Sequence, residues 1–176
     1  MGLFYPYASS SEDTAIGTPK STTLVGYADA GYLSDPYKGL SQSGYVFTIG
    51  NTAISWRSRK QTLVATLTNH SELLALYEVT RDTCDLAHDP DEPIVIYEDN
   101  AAVIDSAKHS YIKGDTTKHI SPKLLFTYEQ QTLQKTEVKH IGSEKNNADL
   151  FTKSLPKYSF QKHVKAIGLR KLSELP

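Results

Sequence analysis

Residues 24–32 read LVGYADAGY and residues 94–100 read IVIYEDN, and the way these two stretches pair decides the fold. Each is a short apolar run that ends in an aspartate. Successive strand side chains point to opposite faces, so Val25, Tyr27 and Asp29 share one face, as do Val95, Tyr97 and Asp99. Leu24, Val25 and Tyr27 supply bulk, while Gly26, Ala28 and Ala30 allow close packing. A carboxylate at the end of such a strand is costly to desolvate without a partner, water or a metal. If the two strands lie parallel and adjacent, Asp29 and Asp99 converge at their C-terminal ends, where open α/β sheets place their ligands. Taken alone, the two residues read equally well as unrelated turn aspartates.

Working outward, residues 8–22 are small, polar and proline-containing, the composition of a surface loop or linker. Residues 43–61 read as a hairpin whose runs YVFTI and AISW meet at Gly50-Asn51, a strong turn signal. The next stretch, TLVATLT (62–68), is expected to prolong the third strand. From Asn69 the period becomes helical, with Leu73, Leu76, Val79 or Thr80, and Cys84 three or four apart. Asp89-Pro90-Asp91-Glu92-Pro93 ends that helix, and Asn100 caps a short one over AAVIDSAKH. A helix over 121–133, a strand over 136–141, a capped helix over 146–155 and an amphipathic tail helix over 157–169 complete the chain. Three strands followed by alternating helices and strands imply a mixed α/β sheet.

A chain of 176 residues fits one domain and can bury roughly 70% of its unfolded surface. Its 39% hydrophobic and 22% charged residues are those of an ordinary globular protein. A net charge of −1 announces no global polycation, so nucleic-acid binding requires a local patch. Arg57, Arg59 and Lys60 offer one after the hairpin. The single cysteine, Cys84, forms no internal disulfide, fits a reducing compartment and reads as a buried structural thiol. No apolar run approaches the roughly 20 residues of a membrane span, and the N-terminus lacks a signal-peptide pattern. The expected location is intracellular, in cytoplasm, nucleus or both.

Two further acids sit at helix starts. With Asn69 as N-cap, Glu72 takes the third helical position; with Asn146 as N-cap, so does Asp149. Each could simply complement a helix N-terminus. The histidines 70, 88, 109, 140 and 163 show no metal-binding spacing.

In order, however, the four acids run strand Asp, helix Glu, strand Asp, helix Asp. With GYADAGYLSDP (26–36), SQSGYVFTIGNTAISWRSRKQTLVA (41–65), SELLALYE (71–78), IYEDNAA (96–102), TKHISPK (117–123) and ADLFTKSLP (148–156), the chain resembles the ribonuclease H domain that ends copia-type (Pseudoviridae) retrotransposon polyproteins, particularly plant ones. The resemblance covers nearly everything from Gly26 onward. It implies a ribonuclease H-like fold: a mixed five-stranded sheet, three antiparallel strands then two parallel ones, with helices on both faces. MGLFYP resembles the connection from reverse transcriptase, making residues 1–22 a linker remnant that starts at an internal methionine and 23–176 the domain.

The resemblance further implies that Asp29, Glu72, Asp99 and Asp149 are catalytic ligands of two Mg²⁺ ions, with Mn²⁺ as a substitute. Mg²⁺ is a hard cation that prefers oxygen ligands, so acids alone suffice. The implied activity is hydrolysis of the RNA strand of RNA–DNA hybrids, with the reverse transcriptase part of the parent polyprotein as a further partner and no membrane. Arg57, Arg59, Lys60, Asn69 and Asn100 are the candidate nucleic-acid contacts. His119 matches a family motif and is expected to be structural.

Three departures stand out. The stretch 80–93 is shorter than the family pattern by roughly a dozen residues, which would uncover apolar sheet surface. The loop 142–147 lacks the histidine that bacterial-type ribonucleases H carry, which implies weak activity. Ser71 replaces the more usual alanine before Glu72. The intact carboxylates favour the nuclease and Ser71 is a mild change, while the shortened helix favours an alternative: a domesticated, weakly active or inactive module that binds hybrid nucleic acid or a protein partner. A DNA-cutting nuclease of the same fold fits the motifs poorly.

Overall fold

A computed structural model of the chain describes residues 2–3, 23–86, 92–110, 120–171 and 173. His119, His88 and part of the shortened stretch lie outside them. The strands are β1 (Gly2–Leu3), β2 (Leu24–Gly31), β3 (Gln42–Ile49), β4 (Thr52–Lys60), β5 (Ile94–Glu98), β6 (Thr136–His140) and β7 (Leu169–Arg170). The helices are α1 (Thr68–Thr83), α2 (Ala101–His109), α3 (Ser121–Thr132) and α4 (Lys157–Ala166).

The turn at Gly50-Asn51 behaves as its residues require. Both have positive φ, 55° and 61°, the backbone twist that lets a two-residue loop join right-twisted strands. It aligns β3 against β4, and β3 in turn lies antiparallel to β2. The decisive pairing is β2 with β5: they run parallel, with Val25 opposite Val95 and Tyr27 opposite Tyr97. β6 adds parallel to β5, giving the order β4-β3-β2-β5-β6. This is the expected five-stranded mixed sheet. A small antiparallel ribbon of β1 and β7 stands outside it and draws Gly2–Leu3, within the stretch read as linker, onto the end of the chain.

Helices cover both faces. Ala28, Phe47, Ile94, Ile96 and Val138 face α1, α2 and α3, which contribute Leu73, Leu76, Val79, Val103, Ile104 and Leu124 to the main core. On the other face, Val46 and Ala53 pack with Ile167 after α4, joined by Tyr27, Leu150 and Phe151.

Four expectations change. TLVATLT does not prolong β4: the strand ends at Lys60 and residues 61–67 form an irregular connection that turns the chain into α1. Asn69 is not the N-cap of α1; Leu67 precedes the helix, so Glu72 falls in the second turn, beyond the reach of a capping role. The stretch 146–155 is not an α-helix but a tight 3-10 turn over Asn147–Phe151. Asn146 nevertheless caps it as its sequence position suggests, its side chain accepting from the Ala148 amide. Cys84 is exposed rather than buried, because Thr80 and Thr83 take the inward positions of the last turn.

Candidate active site

Strand alternation brings Asp29 and Asp99 to neighbouring positions just past the paired ends of β2 and β5. The loop carrying Asp149 is pinned against them by Asn146, which is fully buried and donates through Nδ2 to the Ala28 carbonyl at 2.7 Å. Two glycines make room for it. A Cβ at Gly44, the cross-strand partner of Asp29, would lie 2.5 Å from Thr152 Cγ2; one at Gly31 would lie 2.5 Å from the Thr152 carbonyl oxygen. As a result, carboxylate oxygens of Asp29, Asp99 and Asp149 all lie within 4.8 Å of one another.

Glu72 enters from α1, buried alongside them. Its Oε2 has no hydrogen-bond partner among the described residues. Burial, followed by the charges of Asp29 and Asp99, pushes its pKa up to about 9. Burial likewise raises Asp29 to about 6; the Thr152 hydroxyl, which donates to its carboxylate, and Lys153 oppose the rise, while Asp149 and Asp99 add to it. The cause is common to both. Several carboxylates share a poorly hydrated space with too little positive charge.

Oxygen-only donors, close together and partly orphaned, fit a hard divalent cation. Asp29, Asp99 and Asp149 form the cluster, with Glu72 at its inner wall.

Several participants escaped the sequence reading. Lys153 Nζ stands 2.9 Å from Asp149 and 3.4 Å from Asp29, so an ammonium shares the acid cluster. Its signal was its position four residues after Asp149 in ADLFTK. Glu98 lies fully buried on the core-facing side of β5, accepting from the Asn100 amide at 3.1 Å. Burial and then the Glu72 charge push its pKa well above the ordinary carboxylate value. The alternation Ile94, Ile96, Glu98 marked it as a polar residue in a core position.

The candidate nucleic-acid contacts divide into groups. Asn69 and Asn100 meet directly, Asn100 Nδ2 donating to Asn69 Oδ1 at 2.9 Å, and join the starts of α1 and α2 beside the acids. Asn100 also caps α2, accepting from the amides of Ala102 and Val103. Arg57 and Arg59 share the α1 face of β4, where Arg57 pairs with Asp82 at 3.3 Å. Lys60 projects to the opposite face and pairs with Asp35 at 2.8 Å. Ser71 is accommodated: its hydroxyl donates to the Thr68 carbonyl.

The sheet order, the parallel β2–β5 pair and the acid cluster at its end define a ribonuclease H-like domain. Among solved structures, LC11-RNase H1, isolated from compost by a metagenomic approach, is 20% identical with a TM-score of 0.59, covering 81% of this chain and 99% of that one. The same enzyme in complex with an RNA/DNA hybrid gives 20% identity and a TM-score of 0.53, over 74% and 94%. No family model matches the chain. A curated relative, the retrovirus-related Pol polyprotein from transposon TNT 1-94 of Nicotiana tabacum, is 31% identical over 152 residues, 83% of this chain. The chain spans about a tenth of that relative's length (11%). The chain thus belongs with the ribonuclease H domains of plant retrotransposon Pol polyproteins. Among the described residues, no helix is long and apolar enough to cross a membrane.

Proposed function

We propose that residues 23–176 form a Mg²⁺-dependent endonuclease domain of copia-type retrotransposon origin that hydrolyses the RNA strand of RNA–DNA hybrids, with residues 1–22 a linker from the reverse transcriptase. The observation that carries this is the convergence of Asp29, Asp99 and Asp149 within 4.8 Å, beside the buried Glu72. In this reading the four side chains hold two Mg²⁺ ions, or Mn²⁺ in their place. When bound, these ions supply activation of the attacking water and charge stabilisation of the departing 3′-oxygen in an in-line displacement.

The chain's own residues do the rest. Asn146 and the two close-approach glycines hold Asp149 against β2. Thr152 orients the Asp29 carboxylate. In this reading the Asn69–Asn100 pair makes the polar contacts to a minor groove and its 2′-hydroxyls that tell RNA from DNA. The Glu98 carboxyl supports Asn100 from below by accepting from its backbone amide.

One observation favours the alternative, a binding module with little or no activity: the Lys153 ammonium already neutralises part of the cluster. An assay with RNA–DNA, RNA–RNA and DNA–DNA duplexes in Mg²⁺ or Mn²⁺ separates the two. The nuclease cuts only the RNA of the hybrid; hybrid binding without cleavage in either metal establishes the binding module.

A further inference from the structure

Behind the Asp149 loop, on the α4 side of the sheet, an open cavity of about 500 Å³ lies between Tyr27, the 145–147 loop and α4. Lys145, Lys162, Lys165 and Arg170 line it, and among the described residues no carboxylate does. Lys162 Nζ donates to the Glu144 carbonyl, and Arg170 Nη1 to the carbonyls of Lys165 and Leu169, so both cations are held in place by backbone. Its floor is a fixed polar chain. His163, almost fully buried, bonds through Nδ1 to Asn147 Oδ1 at 3.0 Å, and Asn147 reaches the Tyr27 phenol. Burial, then the charges of Lys162 and Lys153, push the His163 pKa down.

We infer that this cavity is a phosphate subsite for the nucleic-acid strand that runs past the acid site. The inference rests on the nucleic-acid reading above and adds a place where the backbone is gripped. Tyr27 and Asp29 project from one face of β2 two residues apart, a span of roughly 6.6 Å, or about two nucleotides of axial rise. Ammonium and guanidinium groups without a competing carboxylate suit a phosphate oxyanion.

The test is hybrid binding in EDTA, read by fluorescence anisotropy across a salt series, for the full chain and for Lys145→Gln/Lys165→Gln. Lys108→Gln/Lys135→Gln, with the same charge change away from the cavity, is the control; the single Lys145→Gln and Lys165→Gln variants stand in should the pair fold poorly. The subsite predicts a several-fold loss of affinity and a salt slope shallower by about 0.9 for each phosphate that the variant leaves unneutralised. A slope and affinity equal to the control overturn it. So does a His163 NMR shift with inorganic pyrophosphate while the hybrid slope stays unchanged, since the cavity then takes free phosphate rather than a strand. Binding with the predicted slope but without cleavage supports the subsite and sinks the nuclease; cleavage with a control-like slope sinks the subsite alone. A wild-type chain that does not bind hybrid overturns both.

Discussion

Two groups of acids flank the same sheet and are built on opposite terms. Where the end of α1 meets β3 and β4, Asp82 is matched: Arg57 and Arg81 pair with it at 3.3 and 2.9 Å, the Tyr45 hydroxyl donates to it, and the Arg57 guanidinium lies over the Tyr45 ring. Burial and then Asp82 raise the Tyr45 pKa, keeping the phenol a donor. At the ends of β2 and β5, five acids, including Glu98, share one lysine among the described residues, and the pKa values of Asp29, Glu72 and Glu98 all rise. A balanced cluster stabilises a fold. An unbalanced one carries a cost that a bound cation would offset.

The contrast is broken most visibly at Asp99. Asp99→Asn keeps size and most hydrogen bonding while removing one ligand charge. The expected result is a loss of hybrid cleavage by orders of magnitude with binding retained, since phosphate contacts carry most of the affinity. Unchanged cleavage in a gel assay would remove Asp99 from the site.

The pH dependence of stability follows from the raised values. A carboxyl that holds its proton more tightly folded than unfolded makes the native state bind more protons, so stability falls as pH rises. For Asp29 the window runs from about 3.8 to about 6, and for Glu72 from about 4.5 to about 9. Denaturant melts of the metal-free protein should therefore weaken steadily from mildly acidic to alkaline pH. A profile flat across that range would mean that the acids are not packed together.

Lys153 is the built-in counter-ion, and removing it sharpens the imbalance. Lys153→Met should tighten Mn²⁺ binding by on the order of tenfold, equivalent to about 1.4 kcal/mol, in calorimetric titration. Weaker metal binding would make the lysine a support of the site rather than its competitor.

At the balanced cluster the effect is smallest. Asp82→Asn should cost about 1 kcal/mol in a denaturant melt and leave cleavage unchanged, because the pair is partly exposed and remote from the chemistry.

Much of this was legible from two strands. The repeated Val-x-Tyr-x-Asp phase foretold the register that sets Tyr27 opposite Tyr97 and hence Asp29 beside Asp99. The turn at Gly50-Asn51 and the cap at Asn100 were legible because single residues determine such geometry locally. What failed depended on the tertiary frame. TLVATLT has strand propensity but no neighbouring strand past Lys60, and tertiary context overrides propensity. Asn69 gives up capping α1 to meet Asn100, 31 positions away, a pairing that no local pattern encodes. Cys84 shared the apolar period, yet Thr83 takes the inward place, its hydroxyl donating to the Thr80 carbonyl. Lys153 stayed unseen because a charge four residues from an acid usually reads as a solvated pair.

The central claim is that the acid cluster is a divalent-cation site, and the melting temperature of the metal-free chain under Mg²⁺ and Mn²⁺ titration tests it directly. A ligand bound only by the folded state stabilises in proportion to RT ln(1 + [L]/Kd), about 2.7 kcal/mol at a hundredfold excess over Kd. The wild type should therefore melt higher with rising metal concentration, and Asp99→Asn much less so. A melting temperature that does not move at saturating Mg²⁺ and Mn²⁺ would contradict the account.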